Sequence, residues 1–177
     1  MRKKRGAPIA DLPPASIAAA LDAIDRRILD ILQTDAGIAN ATLADRVGLS
    51  PPACLGRVRR LKELKIIRRQ VALLDAAAVG LPVLVWVGVS LRRKTDDAIA
   101  LFRRAVLAEP AVTSCAVLAG EIDFLLSVRA ATLQDYHALA QRLFSEENGV
   151  GGYTSHVAIE EVKELAPLPL PGGRKEG

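Results

Sequence analysis

The sequence predicts an α+β chain of two small domains, a helix-turn-helix followed by a β-α-β-β-α-β unit. Three observations predict it. Apolar residues recur at helical spacing through residues 21–64, then change to strand-like runs from residue 68 onward. A Gly48-Leu49-Ser50 turn separates the second and third helical segments. The charge divides with the pattern: residues 1–75 carry 14 Lys/Arg and 8 Asp/Glu, residues 76–177 carry 10 and 12, and these nets of +6 and −2 sum to +4. Such asymmetry suits a polyanion partner for the basic half.

Residues 1–20 read as a flexible basic arm that opens with Arg2, Lys3, Lys4 and Arg5. Pro8, Asp11, Pro13 and Pro14 interrupt it where a signal peptide would be apolar. The first helix runs from Leu21 to Thr34, with Leu21, Ile24, Ile28, Leu29, Ile31 and Leu32 on one face and Asp22 or Asp25 at its start. Gly37 breaks it. Asn40 suits the N-cap of a short helix, Ala41–Val47, and Gly48 supplies the turn. Ser50 caps a third helix, with Pro51 at the first position, where a missing N–H costs nothing; this helix ends near Leu64.

Arg68–Leu74 can form a strand. Pro82–Leu91 reads as a buried strand containing Trp86. Thr95–Leu107 is helical, and Val112–Leu118 and Phe124–Val128 are strands flanking Gly120-Glu121. Thr132 opens a helix over Leu133–Phe144, and Tyr153–Val162 is the last strand. The order is that of a ferredoxin-like domain. The Pro- and Gly-rich residues 167–177 read as a loose tail.

The third helix has a dry face and a wet one. Cys54, Val58, Leu61 and Leu64 fall in one sector at about 100° per residue; Pro52, Gly56, Arg59 and Arg60 lie opposite, with Ala53 and Arg57 on the flanks. Small residues near its start let a helix approach base edges, and the arginines follow where phosphates would run. From Arg57 to Arg69 there are seven Lys/Arg and one acid, a net of +6. The candidate DNA contacts are therefore Ser50, Pro51, Pro52, Ala53, Arg57, Arg59 and Arg60. A solvated basic face on a helical bundle is the competing reading.

Composition removes other classes. The two cysteines, Cys54 and Cys115, have no Cys or His at metal-ligand spacing, so no metal site, cofactor or disulfide framework is expected and a reducing cytoplasm fits. Leu81–Leu91 is about half the length of a membrane span. Aromatic residues make up 3%, too few for single-strand stacking platforms.

The chain resembles the Lrp/AsnC family of feast/famine transcriptional regulators over about residues 21–170. Leu21-Asp-Ala-Ile-Asp-Arg-Arg-Ile-Leu29 is similar to its opening helix, and Leu43-Ala44 with Val47-Gly48-Leu49-Ser50-Pro51 to its turn. Cys54, Arg57-Val58 and Leu61 match its recognition helix, and Ala119-Gly120-Glu121-Ile122-Asp123-Phe124-Leu125 resembles its Gly-Asp-Tyr-Asp-Tyr loop. Val162-Lys163 and Leu168-Pro169-Leu170 match its close. The resemblance implies a winged helix-turn-helix with a strand linker over 21–80 and a ferredoxin-like effector-binding and oligomerisation domain over 81–166. It also implies dimers or higher homo-oligomers, double-stranded DNA as partner, and a small effector, commonly an amino acid. Departures stand at Lys65-Ile66-Ile67, where Gly-Val-Ile is usual, and at Glu121-Ile122, where Asp-Tyr is usual.

The candidate effector residues are Gly120, Glu121, Asp123, Thr154, Ser155 and His156. Gly120 sits in a tight connection where backbone groups can face a ligand; Glu121 and Asp123 could receive an amino group, and the last strand adds polar side chains. An ordinary hairpin with solvated acids competes with this, as does a surface or interface role for His156. Trp86 with Val83, Val85, Val87 and Val89 supplies apolar sheet surface, some of it expected in a dimer interface. Two other functions remain open: an architectural DNA-bending protein of low specificity, and an enzyme similar to siroheme decarboxylases, for which only His137 and His156 are at hand.

Overall fold

A computed structural model describes residues 21–171; the arm over residues 1–20 and residues 172–177 lie outside the described residues. The described chain divides into two compact units. One takes residues 21–72 together with 163–171, the other residues 73–162.

The helical unit holds α1 (Ala23–Thr34), α2 (Asn40–Val47) and α3 (Pro51–Glu63). Ile28 and Leu29 of α1, Leu43, Ala44 and Val47 of α2, and Cys54, Val58 and Leu61 of α3 close one dry core. The apolar sector read for α3 is therefore the packed one, with Leu64 only half-buried at its end. Asp22 is the N-cap of α1. It accepts from the Asp25 N–H at 2.8 Å, while Asp25 reaches back to the Asp22 N–H, so both acids suited to the helix start are used in one capping box.

Asn40 lies inside α2 rather than capping it, and its side-chain amide donates to the Pro51 carbonyl at 2.9 Å, pinning the start of α3. Ser50 holds the N-cap position of α3 in extended backbone but makes no side-chain capping bond. Gly48 closes α2 at φ +71°, a conformation that glycine adopts without strain.

After α3 the chain turns at Lys65, φ +56°. The Lys65 N–H bonds to the Lys62 carbonyl and the Ile66 N–H to the Leu61 carbonyl. This is a left-handed helix stop occupied by a residue with a Cβ. Lys65→Gly is expected to stabilise the helical unit by roughly 0.5–1 kcal/mol, read as a higher melting midpoint by circular dichroism.

The expected strand over Arg68–Leu74 does not form, so the described chain shows no wing. Among the described residues, Arg68–Leu74 have no neighbouring strand to take their hydrogen bonds, and Val71, Leu73 and Leu74 are exposed.

The αβ unit runs β1 (Val83–Leu91), α4 (Asp96–Leu107), β2 (Val112–Val117), β3 (Phe124–Ala130), α5 (Leu133–Leu143), a short 3-10 turn (Glu146–Asn148) and β4 (Val150–Val157). The sheet is antiparallel in the order β2-β3-β1-β4, the ferredoxin-like arrangement. Thr95 and Thr132 cap the two helices by accepting from the Ala98 and Asp135 N–H groups. One sheet face packs on the helices. Val85, Val87 and Val89 of β1 and Phe124, Leu126 and Val128 of β3 meet Phe102 and Val106 of α4 and Leu139 and Leu143 of α5. Three of the valines expected to offer open sheet surface are thus core, whereas Trp86, on the opposite face, is exposed.

The last strand differs from the expected Tyr153–Val162. It begins earlier, because Val150 still pairs with Leu91 beyond a bulge. Its pairing ends at Val157, opposite Val85, with one further bond from the Ala158 N–H to the Leu84 carbonyl. The tail also differs from expectation: Leu170 packs against the helical core, and the Leu168 backbone bonds to Gln33 of α1. No described helix is long and apolar enough to cross a membrane.

Candidate functional site

In the helical unit, the face of α3 turned to solvent begins with small residues. Pro51, Pro52, Ala53 and Gly56 are all exposed, and a Cβ added at Gly56 would meet nothing within 4 Å. Ser50 and Arg59 are exposed beside them. This is the shape a recognition helix needs, a low N-terminal surface that can approach base edges with a cation one turn on.

Arg57 and Arg60 behave differently. Both turn toward the first turn of α1. Arg57 Nη1 lies 2.6 Å from Asp22 and 2.9 Å from Asp25, and Arg60 Nη1 lies 3.2 Å from Asp25. The Asp25 side chain is only 1% exposed, and these two cations are its ion-pair partners. At helical spacing Arg60 falls on the outward sector, but a long side chain on the flank can reach back, and a buried carboxylate gives it reason to. The Asp25 N–H and the Arg57 guanidinium hold the Asp22 carboxyl below its usual 3.8. Its folded value is depressed, so this stabilisation is complete above that pH and is lost as pH falls through the folded value. Lys62 is tied to Gln70 at 2.8 Å. Among the described residues from Pro51 to Gln70, Arg59, Lys65, Arg68 and Arg69 are then the exposed cations with neither an ion pair nor a side-chain hydrogen bond.

In the αβ unit the register sorts the candidates by face. Trp86 pairs with Ser127 and with His156, and Gly88 pairs with Leu125 and with Thr154. Thr154 and His156 therefore share the open face with Trp86. Ser155 pairs with Val87 and hydrogen-bonds the Tyr136 hydroxyl of α5, which places it on the helix-covered face. The last strand thus brings two of its three candidates together, not all three.

The connection from β2 to β3 folds onto the open face. Ile122 lies over Gly88, its Cδ1 3.1 Å from where a Cβ on Gly88 would stand. The Asp123 N–H donates to the Val89 carbonyl at 2.8 Å, and Ser90 donates to the Glu121 carbonyl. Asp123 is a brace rather than a spare carboxylate, since it accepts from the Leu91 N–H at 2.8 Å and pairs with Lys94 at 2.9 Å. Burial pushes its carboxyl up, but Lys94 and the Leu91 N–H outweigh burial and hold it below 3.8. Glu121 and Gly120 are exposed, and nothing crowds Gly120. Ile122 was not among the candidates, because site reasoning favours polar groups; its one signal was its place inside the loop motif. The open face thus offers Trp86, Ile122 and Leu125 as apolar surface, Thr154 and His156 as polar groups, and Glu121, exposed and with no ion pair among the described residues. Among the described residues no group of three or more His, Cys, Asp or Glu is placed to hold a metal.

Comparison with known proteins agrees with this division of labour. The AsnC-type helix-turn-helix domain matches residues 21–62, and the Lrp/AsnC ligand binding domain matches residues 84–168. The leucine-responsive regulatory protein of Escherichia coli is 38% identical over 150 residues, 85% of this chain and 92% of that protein. An AsnC family transcriptional regulator from Agrobacterium tumefaciens superposes with a TM-score of 0.79 at 34% identity, covering 85% of this chain and 97% of that one. A transcriptional regulator from Neisseria meningitidis, solved in complex with L-Met, gives a TM-score of 0.77 at 34% identity over the same shares. A DNA-reading helical unit and a ligand-binding αβ unit, in this order and with these motifs, make the chain a member of the Lrp/AsnC family of DNA-binding transcriptional regulators.

Proposed function

We propose that this regulator reads duplex DNA with Ser50, Pro51, Pro52, Ala53 and Arg59 of α3, and that it answers to an amino acid with an apolar side chain bound on the open face of the αβ sheet. The observation that carries the reading is the register of the open face. It sets Trp86 and Leu125 beside Thr154 and His156, and the β2–β3 connection adds Ile122 over Gly88 and Glu121 at Ser90, an apolar surface with groups for an ammonium and a carboxylate. The L-Met complex of the Neisseria meningitidis relative supports that ligand class. In this reading Arg57 and Arg60 shape the recognition helix through Asp25, and phosphate contacts fall to Arg59 and the exposed cations after α3. Ser155 and Asp123 serve the fold beside the site.

The chain acts by binding. Its two histidines do not converge: His137 is exposed on α5, and His156 stands on β4. A second copy of the chain is the proposed cover of the open sheet face, where Trp86 is 39% exposed. A homodimer or higher oligomer then presents two α3 helices to half-sites about one DNA turn apart. Work in the cytoplasm accords with a DNA partner.

The test is a thermal-shift panel of amino acids read by the emission of Trp86, the one tryptophan of the chain. Apolar L-amino acids should raise the midpoint, by as much as about 2.7 kcal/mol of stabilisation at a hundredfold excess over Kd. Charged ones should not. His156→Ala should displace the effector titration while leaving effector-free DNA affinity unchanged. An unaltered titration removes His156 from the site, and a flat panel removes the ligand class.

A further inference from the structure

We propose that residues 167–171 are an intramolecular strap that docks along α1, and that its engagement strengthens DNA binding by the helical unit. The proposal rests on the DNA-binding function above and adds a contact that controls it.

The docking is specific to an extended backbone. The Leu168 N–H donates to Gln33 Oε1 at 2.7 Å, and the Leu168 carbonyl accepts from Gln33 Nε2 at 3.3 Å, so one amide side chain clasps both backbone groups of one residue. Leu170 adds its side chain to the helical core. Arg26 donates to the Pro171 carbonyl and, at 3.1 Å, to the Leu21 carbonyl.

The spacings match. Gln33 and Arg26 stand two turns apart on α1, about 10.5 Å along the axis. Leu168 and Pro171 are three residues apart, about 10 Å in extended chain. The strap therefore runs antiparallel to α1 with its polar contacts in step.

Its sequence, Pro167-Leu168-Pro169-Leu170-Pro171, suits the task. The prolines hold φ near the extended value and reduce the chain entropy lost on docking. They also leave Leu168 and Leu170 as the only N–H donors of the stretch, and Gln33 takes the first. Ala158 and Glu161 still bond to the αβ unit, through the Leu84 carbonyl and Arg129, which leaves residues 162–166, with Val162 and Leu165 exposed, as the tether. Residues 167–171 are seated through the Leu168 backbone and the Leu170 side chain, while the Leu168 side chain stays exposed. The chain leaves the helical unit near residue 72 and returns to it at residue 163, so the αβ unit is joined to α1 and α3 by two separate segments.

The test uses the full chain, its Gln33→Ala variant, and a chain ending at Ala166. Gln33→Ala removes the clasp without touching the core, so it keeps the experiment readable if the shortened chain folds poorly. In hydrogen exchange, the Leu168 amide of the parent should be slowed about tenfold, and Gln33→Ala should return it to the free rate. Both variants should bind duplex captured from genomic fragments about tenfold more weakly, with the Trp86 transition of the αβ unit unmoved. A freely exchanging Leu168 amide in the parent overturns the docking. Variants that bind as the parent does overturn the control. Protection that vanishes when the protein is diluted to monomer assigns the strap to a second copy and overturns the intramolecular contact. Should the parent capture no duplex, the DNA-binding reading fails instead, and the exchange result still decides the docking by itself.

Discussion

Replacing Arg57 and Arg60 together by alanine is expected to unfold the helical unit, and with it to abolish DNA binding. The cause is Asp25. Its carboxylate is buried, and in the parent two guanidinium groups from α3 neutralise it. With both gone, the charge has no cation, and stranding one member of a buried pair costs about 3–5 kcal/mol. A unit of about 60 residues has total stability of the same order, at about 0.05–0.15 kcal/mol per residue. Circular dichroism should show the helical transition shifted down or lost while the Trp86 transition stays in place. Adding Asp25→Asn to the double variant removes the stranded charge and should recover part of the loss. If the double variant melts like the parent and only loses DNA affinity, the two arginines are phosphate contacts and the structural role given to them here is wrong.

Phe102→Ala should do to the αβ unit what the first change does to the helical one. Phe102 is fully buried in α4, with its ring edge-on to Phe124 at 4.8 Å between centroids and tilted against Phe144 at 6.5 Å. Deleting a buried phenyl ring removes its transfer energy and leaves a cavity, about 3–5 kcal/mol together. For a domain of this size the Trp86 transition should fall by at least about 12 °C. Response to amino acids should weaken in step, since Phe124 begins the strand that follows the Ile122 loop. The helical transition should keep its parent midpoint. A single merged transition that falls for both units would show that they melt as one.

The fold was legible where local chemistry and periodicity agreed. Gly48-Leu49-Ser50-Pro51 carries its turn and helix start within four residues, and Cys54, Val58 and Leu61 declare their buried side by spacing alone. The ferredoxin-like order followed from alternating strand and helix patterns, with Thr132 as a cap. Periodicity failed where a contact depends on reach. Asp25 reads as an acid suited to a helix start, and nothing local says that two arginines more than thirty residues on will neutralise it. Arg68–Leu74 has strand composition, but a strand also needs a neighbour, and the described residues supply none.

The candidate effector site shows a different limit. The separation of Ser155 from Thr154 and His156 was available from the alternation of side chains along a strand. Choosing residues for polarity obscured it. Ile122 was passed over for the same reason, although its apolar side chain is what the loop lays over Gly88. The seating of Leu168 and Leu170 on α1 could not be read from composition, because a proline-rich stretch looks the same whether it is solvated or docked.

The most direct test of the account is the salt dependence of binding to a duplex that the protein has selected from genomic fragments, measured for the parent chain and for Arg59→Ala. The parent should prefer the selected duplex to bulk DNA, and its log affinity should fall linearly with log salt. Arg59→Ala should lower the affinity, reduce the steepness of that line by about one, and melt like the parent. A parent chain that shows no preference for selected DNA, or an Arg59→Ala variant with unchanged affinity and slope, would contradict the placing of DNA against the exposed face of α3.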